Sequence, residues 1–137
     1  MRYLLDTHLV LWAADRPDKL GPALELASGG ERLLSAASAW ELAIKQARGK
    51  LHLGMPVSDF FRRSLAELRA QVVDITASHA AAVEHLPDVH RDPFDRLLVA
   101  QAQELGATLS RPTGRWARTD PSCRWSRRRF SRPRPPG

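Results

Sequence analysis

Acidic side chains stand at three places in the chain where they could act together. Asp6 directly follows a short apolar stretch, Glu41 lies in the first turn of a predicted helix, and Asp92 and Asp95 lie at the start of another. Carboxylates that converge on one point repel one another, and such a cluster is suited to a hard divalent cation such as Mg²⁺ or Mn²⁺. The residue types and their positions therefore predict a site for a divalent metal ion.

Each of these acids also has a purely structural interpretation. Glu41 fits the last position of a capping box that begins at Ser38, where it would bond back to the Ser38 amide. Asp92 is a natural N-cap, and Asp95 would then lie in a first turn, where the helix dipole favours an acid. Asp6 could cap the helix that follows it, but a charge directly after a strand that should be buried favours a functional role. The joint occurrence of the acids favours the metal site over separate caps.

Short apolar stretches alternate with amphipathic helical segments in the part of the chain that carries these acids. Strands are predicted over residues 2–5, 32–35, 72–75 and 107–109. Helices are predicted over residues 9–14, 22–28, 39–48, 57–70, 78–86 and 93–105. This alternation implies right-handed crossovers and a mainly parallel sheet in an α/β layered fold. In such sheets, functional groups gather at the carboxyl ends of the strands.

Large apolar side chains recur at helical spacing in the predicted helices. One face of helix 39–48 is predicted to carry Trp40, Ala43, Ile44 and Ala47. In helix 57–70, the inward positions are predicted to be Phe60, Phe61, Leu65 and Leu68. We expect the aromatic side chains Trp12, Trp40, Phe60 and Phe61 to pack in the core or at a dimer interface.

Positive charge is distributed unevenly along the 137 residues, although the formal net charge is +6. Residues 1–106 carry 12 basic and 14 acidic side chains, a net charge of −2, whereas residues 107–137 carry nine arginines and one aspartate, a net charge of +8. We predict a single domain over residues 1–109 and a disordered tail rich in Arg and Pro over residues 110–137. The basic character therefore belongs to the tail and not to the folded domain.

Several other classes of protein are disfavoured by composition and spacing. The single cysteine excludes a disulfide framework, and no apolar run approaches the roughly 20 residues that span a bilayer. An acid at position 6 comes too early for a secretory signal, so we expect a cytoplasmic protein with no membrane partner. The histidines lack the spacing of a zinc site, and no serine stands in a nucleophile-elbow pattern.

The chain carries three segments in the order and spacing of a known family. They read LLDTH at residues 4–8, SAWELAIK at 38–45 and HRDPFDRLLVAQA at 90–102. Together they resemble the motifs of the PIN-domain ribonucleases, specifically the VapC-type toxins of toxin–antitoxin pairs, and the resemblance covers residues 1–109. It implies a three-layer α/β/α fold, a homodimer, a cognate antitoxin and endonucleolytic cleavage of RNA that depends on Mg²⁺ or Mn²⁺.

The resemblance also implies which residues form the site. By position, Asp6, Glu41 and Asp95 match the first three metal-site acids of the family and would be the catalytic residues. Asp92 is their neighbour, either a further group at the metal or the cap of the helix. The metal would lower the pKa of a bound water and neutralise charge on the phosphate under attack.

Two further side chains are candidates for binding substrate. Lys45 follows Glu41 by one helical turn, so it could contact a substrate phosphate or form an i,i+4 ion pair with Glu41, and the ion pair is slightly favoured. Thr7, directly after Asp6, is a weaker candidate for the same role.

The chain departs from the family pattern after its fourth predicted strand. A fourth acid usually follows there, but Leu109 is followed by the sequence SRPT and no acid occurs before Asp120. We hypothesise that the reading frame shifted near Leu109, because GC-rich codons with one restored base encode a further strand and an aspartate in this segment. On this hypothesis the last strand of the sheet is missing, and nuclease activity is reduced or absent.

Two alternatives to a metal-dependent ribonuclease are therefore kept. The first is a catalytically impaired PIN remnant that only binds an antitoxin or a partner toxin. The second is a nonspecific nucleic-acid binder that uses the basic tail.

Overall fold

Strands and helices alternate along the chain in the computed structural model, which describes residues 1–15, 29–87 and 92–111. The strands are β1 (Arg2–Leu5), β2 (Glu31–Ser35), β3 (Gln71–Val73) and β4 (Thr108–Ser110). The helices are α1 (Thr7–Asp15), α2 (Ala36–Ala47), α3 (Val57–Leu68), α4 (Ala77–Ala82) and α5 (Pro93–Leu105), with a 3₁₀ turn at Val83–His85. The predicted helix over residues 22–28 and the predicted tail from residue 112 onward lie outside the described residues.

The described strands form a parallel sheet in the order β3-β2-β1-β4. Leu4 of β1 pairs with Leu33 of β2 on one side and with Leu109 of β4 on the other. All three pairings are parallel, so the prediction of a mainly parallel sheet is confirmed. The segment that would hold a last strand after β4 lies outside the described residues. The carboxyl ends of β1, β2 and β4 meet at one edge of the sheet, which is where the candidate acids are expected.

Each face of the sheet is covered by helices, because successive side chains of a strand point to opposite faces. Leu5 and Leu34 belong to a core with buried side chains of α1, α2 and α3. Leu4 and Leu33 belong to a second core with Ala37 and with buried residues of α5. The three-layer α/β/α arrangement is thus as predicted.

Helix α2 begins three residues earlier than predicted. Ser35, the last residue of β2, is its N-cap, and the Ser35 hydroxyl accepts a hydrogen bond of 3.0 Å from the Ala37 amide. Glu41 consequently lies in the second turn of α2, so both its placement in the first turn and the capping box with Ser38 are wrong. Because its carboxylate does not cap the helix, it is available for other contacts.

The predicted apolar face of α2 is also wrong. The buried residues of this helix are Ala37, Ser38, Glu41 and Leu42. Trp40 is 57% exposed, and its ring meets Phe94 of α5 edge-on, with centroids 5.0 Å apart. Trp40 is therefore not a core residue of this chain, whereas the core positions predicted for Trp12, Phe60 and Phe61 are confirmed. A dimer contact for Trp40 stays a prediction.

Helix α5 begins and ends where the sequence predicts. The Asp92 carboxylate accepts a hydrogen bond of 3.0 Å from the Phe94 amide, and Gly106 ends the helix in the left-handed conformation with φ 63°. The cap interpretation of Asp92 is thus confirmed, and Asp95 lies in the first turn. Across the described ranges of the chain, none of the helices combines the length and apolarity needed to cross a membrane.

Candidate active site

Asp6 is the first residue beyond β1, and it is almost completely buried, with 7% of its surface exposed. Its carboxylate accepts a hydrogen bond of 3.1 Å from the His8 amide and contacts the His8 imidazole at the same distance. Burial by itself would raise the pKa of Asp6, but the hydrogen bonds and positive charge of His8, together with the charge of Arg111, bring it below the usual 3.8. Asp6 is therefore held as an anion at the edge of the sheet.

Glu41 reaches the same edge from α2 and forms a buried ion pair. Lys45 Nζ lies 3.0 Å from Glu41 Oε2, which is the i,i+4 pair that the sequence favoured for Lys45. Burial raises the pKa of Glu41 despite the opposing charge of Lys45 and a hydrogen bond from Thr7, and the charge of Asp92 raises it further. Burial also lowers the pKa of Lys45, against the attraction of Glu41. A substrate contact for Lys45 stays a prediction.

Thr7 connects the end of β1 to α2. Its hydroxyl lies 2.8 Å from the Ser38 hydroxyl, and both side chains are only 1% exposed. A hydrogen bond from Thr7 also acts to lower the pKa of Glu41, and either hydroxyl can be the donor in the contact between Thr7 and Ser38. These contacts fix the position of Glu41, and a substrate contact for Thr7 stays a prediction.

Asp92 and Asp95 come to the site from the N-terminus of α5. The charge of Asp92 acts on both Glu41 and Lys45, which places Asp92 on the Glu41 side of the site. Asp95, with its side chain 22% exposed, contacts Arg111: the Asp95 Oδ1 to Arg111 Nη2 distance is 2.8 Å.

Arg111 is the charged residue of this region that the sequence reasoning missed. It lies two residues after Leu109, in the stretch where the family pattern led us to expect an acid and the chain has none. The sequence lacks that acid and carries the opposite charge near its place. A basic residue close to the missing acid was the available signal.

The four acids therefore fall into two groups, because Asp92 acts on Glu41 and Lys45 whereas Arg111 acts on Asp6 and Asp95. Their oxygen donors suit Mg²⁺ or Mn²⁺ chemically. Among the residues that the structure describes, however, no three Asp, Glu, His or Cys side chains are grouped closely enough to hold one metal ion. Two of the acids are paired with the chain's own cations, Lys45 and Arg111.

Comparison with known proteins gives a matching family and several similar solved structures. The sequence model of a family described as "PIN domain" matches residues 3–110. No curated protein sequence matches the chain. The crystal structure of VapBC2 from Rickettsia felis bound to a DNA fragment from their promoter contains a similar chain, with 22% sequence identity and a TM-score of 0.62. The similarity covers 80% of this chain and 86% of that one, and it is a similarity of fold.

Proposed function

The chain belongs to the PIN domain family, which is a family of nucleases, and from this premise we propose that it is an endoribonuclease and the toxin of a toxin–antitoxin pair. The observation that carries the proposal is the nearly buried carboxylate of Asp6, which directly follows β1 at the carboxyl edge of the parallel sheet and stays ionised there. Nearly buried carboxylates at this position contribute little to stability by themselves, because desolvation opposes their charge. A role as a metal ligand would account for a charge at this buried position.

The reaction we propose is hydrolysis of an RNA phosphodiester bond. To hold Mg²⁺ or Mn²⁺, the side chains of Asp6, Glu41 and Asp95, with Asp92 beside them, would have to draw closer together than they lie in this structure, and the bound ion would supply an activated water and neutralise charge on the phosphate. His8 keeps Asp6 ionised, and so ready to act as a ligand, because it donates to that carboxylate. Thr7 and Lys45 hold the Glu41 carboxylate in one position.

The partners follow from the same proposal. The similar structure is described as VapBC2 bound to DNA from its promoter, and we propose that this chain likewise pairs with a small antitoxin. We further propose a homodimer in which Trp40 contributes to the interface, because an exposed tryptophan is typical of such contacts. We also propose a cytoplasmic location, where a toxin that cleaves RNA would meet its substrate. Light scattering on the purified chain tests the dimer, and a monomer at micromolar concentration would contradict it.

The activity is tested by incubating RNA with the full chain in Mg²⁺, in Mn²⁺ and in EDTA. We expect cleavage only with metal, and we expect Asp6→Asn and Asp95→Asn to lower the rate by about 100-fold or more. Asp59→Asn is the matched control, because Asp59 is an exposed acid of α3 that pairs only with Arg62 at 3.6 Å among the contacts described for it. Cleavage that survives both EDTA and Asp6→Asn would refute the proposal.

A second candidate function is favoured by the ion pair between Asp95 and Arg111. A guanidinium among the acids and the lack of a fourth acid both weaken a metal site, which is the behaviour expected of a remnant that binds its antitoxin without cleaving RNA. The same assay separates the two functions. Absence of cleavage with either metal, combined with binding of the antitoxin encoded by a neighbouring gene, would support the remnant.

A further inference from the structure

Arg111 is fixed beside Asp6 by the register of the sheet. Leu5 pairs with Ser110 in parallel β1 and β4, so the next residues of the two strands, Asp6 and Arg111, leave the sheet side by side. The Asp6 amide donates a hydrogen bond of 2.9 Å to the Ser110 carbonyl and prolongs this pairing by one residue. The position of the Arg111 backbone at the acidic edge therefore follows from the strand pairing.

The guanidinium of Arg111 acts on acids from two elements. Its Nη2 lies 2.8 Å from Asp95 of α5, and its charge also stabilises the anion of Asp6 after β1. Nη2 is shielded from solvent and makes no aligned hydrogen bond within the described part of the chain, so the attraction to Asp95 is one of charge. Arginine stays protonated at all physiological pH values, so this charge is permanent.

We propose that Arg111 is the resident cation of the acidic site: its guanidinium neutralises Asp6 and Asp95 when no divalent ion is bound, and it competes with that ion for them. The inference rests on the proposed function in one respect, the assignment of these two acids to the metal. The ion pairs described for the other positive groups nearby are those of Lys45 with Glu41 and of His8 with Asp6. Arg111 acts on the acid that follows β1 and on an acid of α5.

The competition has a simple electrostatic basis. Two carboxylates that approach each other without a cation are destabilised, and either a guanidinium or a metal ion relieves that repulsion. Because a divalent ion that enters must displace the guanidinium or share the acids with it, the affinity for metal is lower than the acids alone would give. Removing the charge of Arg111 should therefore strengthen metal binding, whereas removing an ordinary structural residue should not.

The test is a measurement of Mn²⁺ binding to the full chain by calorimetry, with electron paramagnetic resonance as a second signal. We expect Arg111→Gln to tighten Mn²⁺ binding by about tenfold, and Arg111→Lys, which keeps the charge, to remain close to the wild type. Arg62→Gln is the matched control, because Arg62 is exposed on α3 and pairs with Asp59 away from this site. Unchanged or weaker Mn²⁺ binding in Arg111→Gln would overturn the proposal.

A second measurement uses the metal-free protein. It distinguishes a specific electrostatic effect of the substitution from a general loss of stability. Arg111→Gln should lower the melting temperature in EDTA, and adding Asp95→Asn to it should recover part of the loss, because one of the repelling charges is then removed. Failure of Asp95→Asn to recover any stability would also count against the resident cation. A loss of RNA binding in Arg111→Gln with no change in Mn²⁺ affinity would instead make Arg111 a phosphate contact and would overturn the proposal.

Failure of this inference can be distinguished from failure of the proposed function. If the wild type cleaves RNA with metal and Arg111→Gln binds Mn²⁺ no better, the nuclease stands and the resident cation is refuted. If Arg111→Gln binds Mn²⁺ more tightly but neither form cleaves RNA, the resident cation stands and the nuclease is refuted.

Discussion

At the scale of single residues, the pair of Glu41 and Lys45 shows how burial and charge oppose each other in this site. Burial favours the neutral form of each group, raising the pKa of Glu41 and lowering that of Lys45. Their contact of 3.0 Å opposes both shifts. Each charge therefore depends on the other for its stability, and neither side chain can be changed alone without cost.

Replacing Lys45 with Met is expected to leave Glu41 as an unpaired buried carboxylate. We expect the free energy of unfolding to fall by about 3 kcal/mol at pH 7, and the pKa of Glu41 to rise further. A folded-state pKa above the usual 4.5 favours the protonated form, so the stability of the variant should fall relative to wild type as the pH rises from 4.5 through that raised value. Urea unfolding between pH 4 and pH 8 measures both effects.

The control for this prediction is the double variant with Glu41→Gln and Lys45→Met. Because no buried charge remains in it, it should recover much of the lost stability and should show little of the added pH dependence. If Lys45→Met alone unfolds at the wild-type urea concentration across this pH range, the buried pair has no net effect and the interpretation is wrong.

At the scale of elements, the N-terminus of α5 combines two roles in one residue. Asp92 caps the helix through the Phe94 amide, and its charge also acts on Glu41. A cap needs only a side-chain oxygen that accepts a hydrogen bond, whereas an electrostatic role at a metal needs the negative charge. Asparagine supplies the hydrogen-bond acceptor without the negative charge, so the two roles can be separated by substitution.

We expect Asp92→Asn to keep the stability of the wild type within a few tenths of a kcal/mol, and Asp92→Ala to lose about 1 kcal/mol. We expect both variants to bind Mn²⁺ about tenfold more weakly, because both lack the charge. Thermal unfolding and calorimetry measure the two quantities on the same samples. If Asp92→Asn binds Mn²⁺ with the affinity of the wild type, the charge of Asp92 has no role at the metal and the residue acts only as the helix cap.

The sequence predicted those elements whose signals are local. β1 is a short apolar run, and α5 is bounded by an N-cap, a proline and a terminal glycine, so the limits of both were predicted to the residue. The start of α2 was missed because Ser35 ends a strand and caps a helix at once. The exposure of Trp40 was not predicted because tertiary packing, and not the apolar pattern of the helix, determines which face of α2 is buried. The buried face carries residues 37, 38, 41 and 42.

The residues of the candidate site also include some that local sequence patterns predict and one that they do not. The roles of Asp6, Glu41 and Asp95 stay predictions from short, contiguous motifs, whereas the ion pair of Lys45 follows from helical spacing alone and is confirmed. Arg111 acquires its contacts from the register between β1 and β4, which joins residues more than a hundred positions apart. Local patterns carry no information about which residues such a register brings together.

At the scale of the whole molecule, charge separates the part of the chain that holds the acids from the arginine-rich remainder. The family match ends at residue 110, and eight arginines and one aspartate follow Arg111 in the sequence. The hypothesis of a shifted reading frame accounts for this change of composition and for the missing fourth acid. Sequencing the gene tests it, since the hypothesis fails if no single-base change near codon 110 opens a frame with an aspartate.

We predict from the sequence that the arginine-rich segment binds RNA independently of the acidic site. Phosphate contacts made by arginines release counterions, so the affinity for single-stranded RNA falls with salt in proportion to the number of contacts. Replacing Arg127, Arg128 and Arg129 with serine removes up to three such contacts. The slope of log affinity against log salt should then become shallower by about 2, and the affinity at low salt should fall.

Fluorescence anisotropy with a labelled RNA at 50 and 200 mM salt measures this slope for the full-length variant and the wild type. The triple Arg→Ser variant should keep any metal-dependent cleavage at saturating RNA, because the substituted residues lie outside the matched PIN region. Asp6→Asn should behave in the opposite way, losing cleavage while keeping the salt slope of the wild type. If the triple variant loses cleavage at saturating RNA as well, the segment takes part in the reaction, and the division of the molecule into an acidic catalytic part and a basic binding part is wrong.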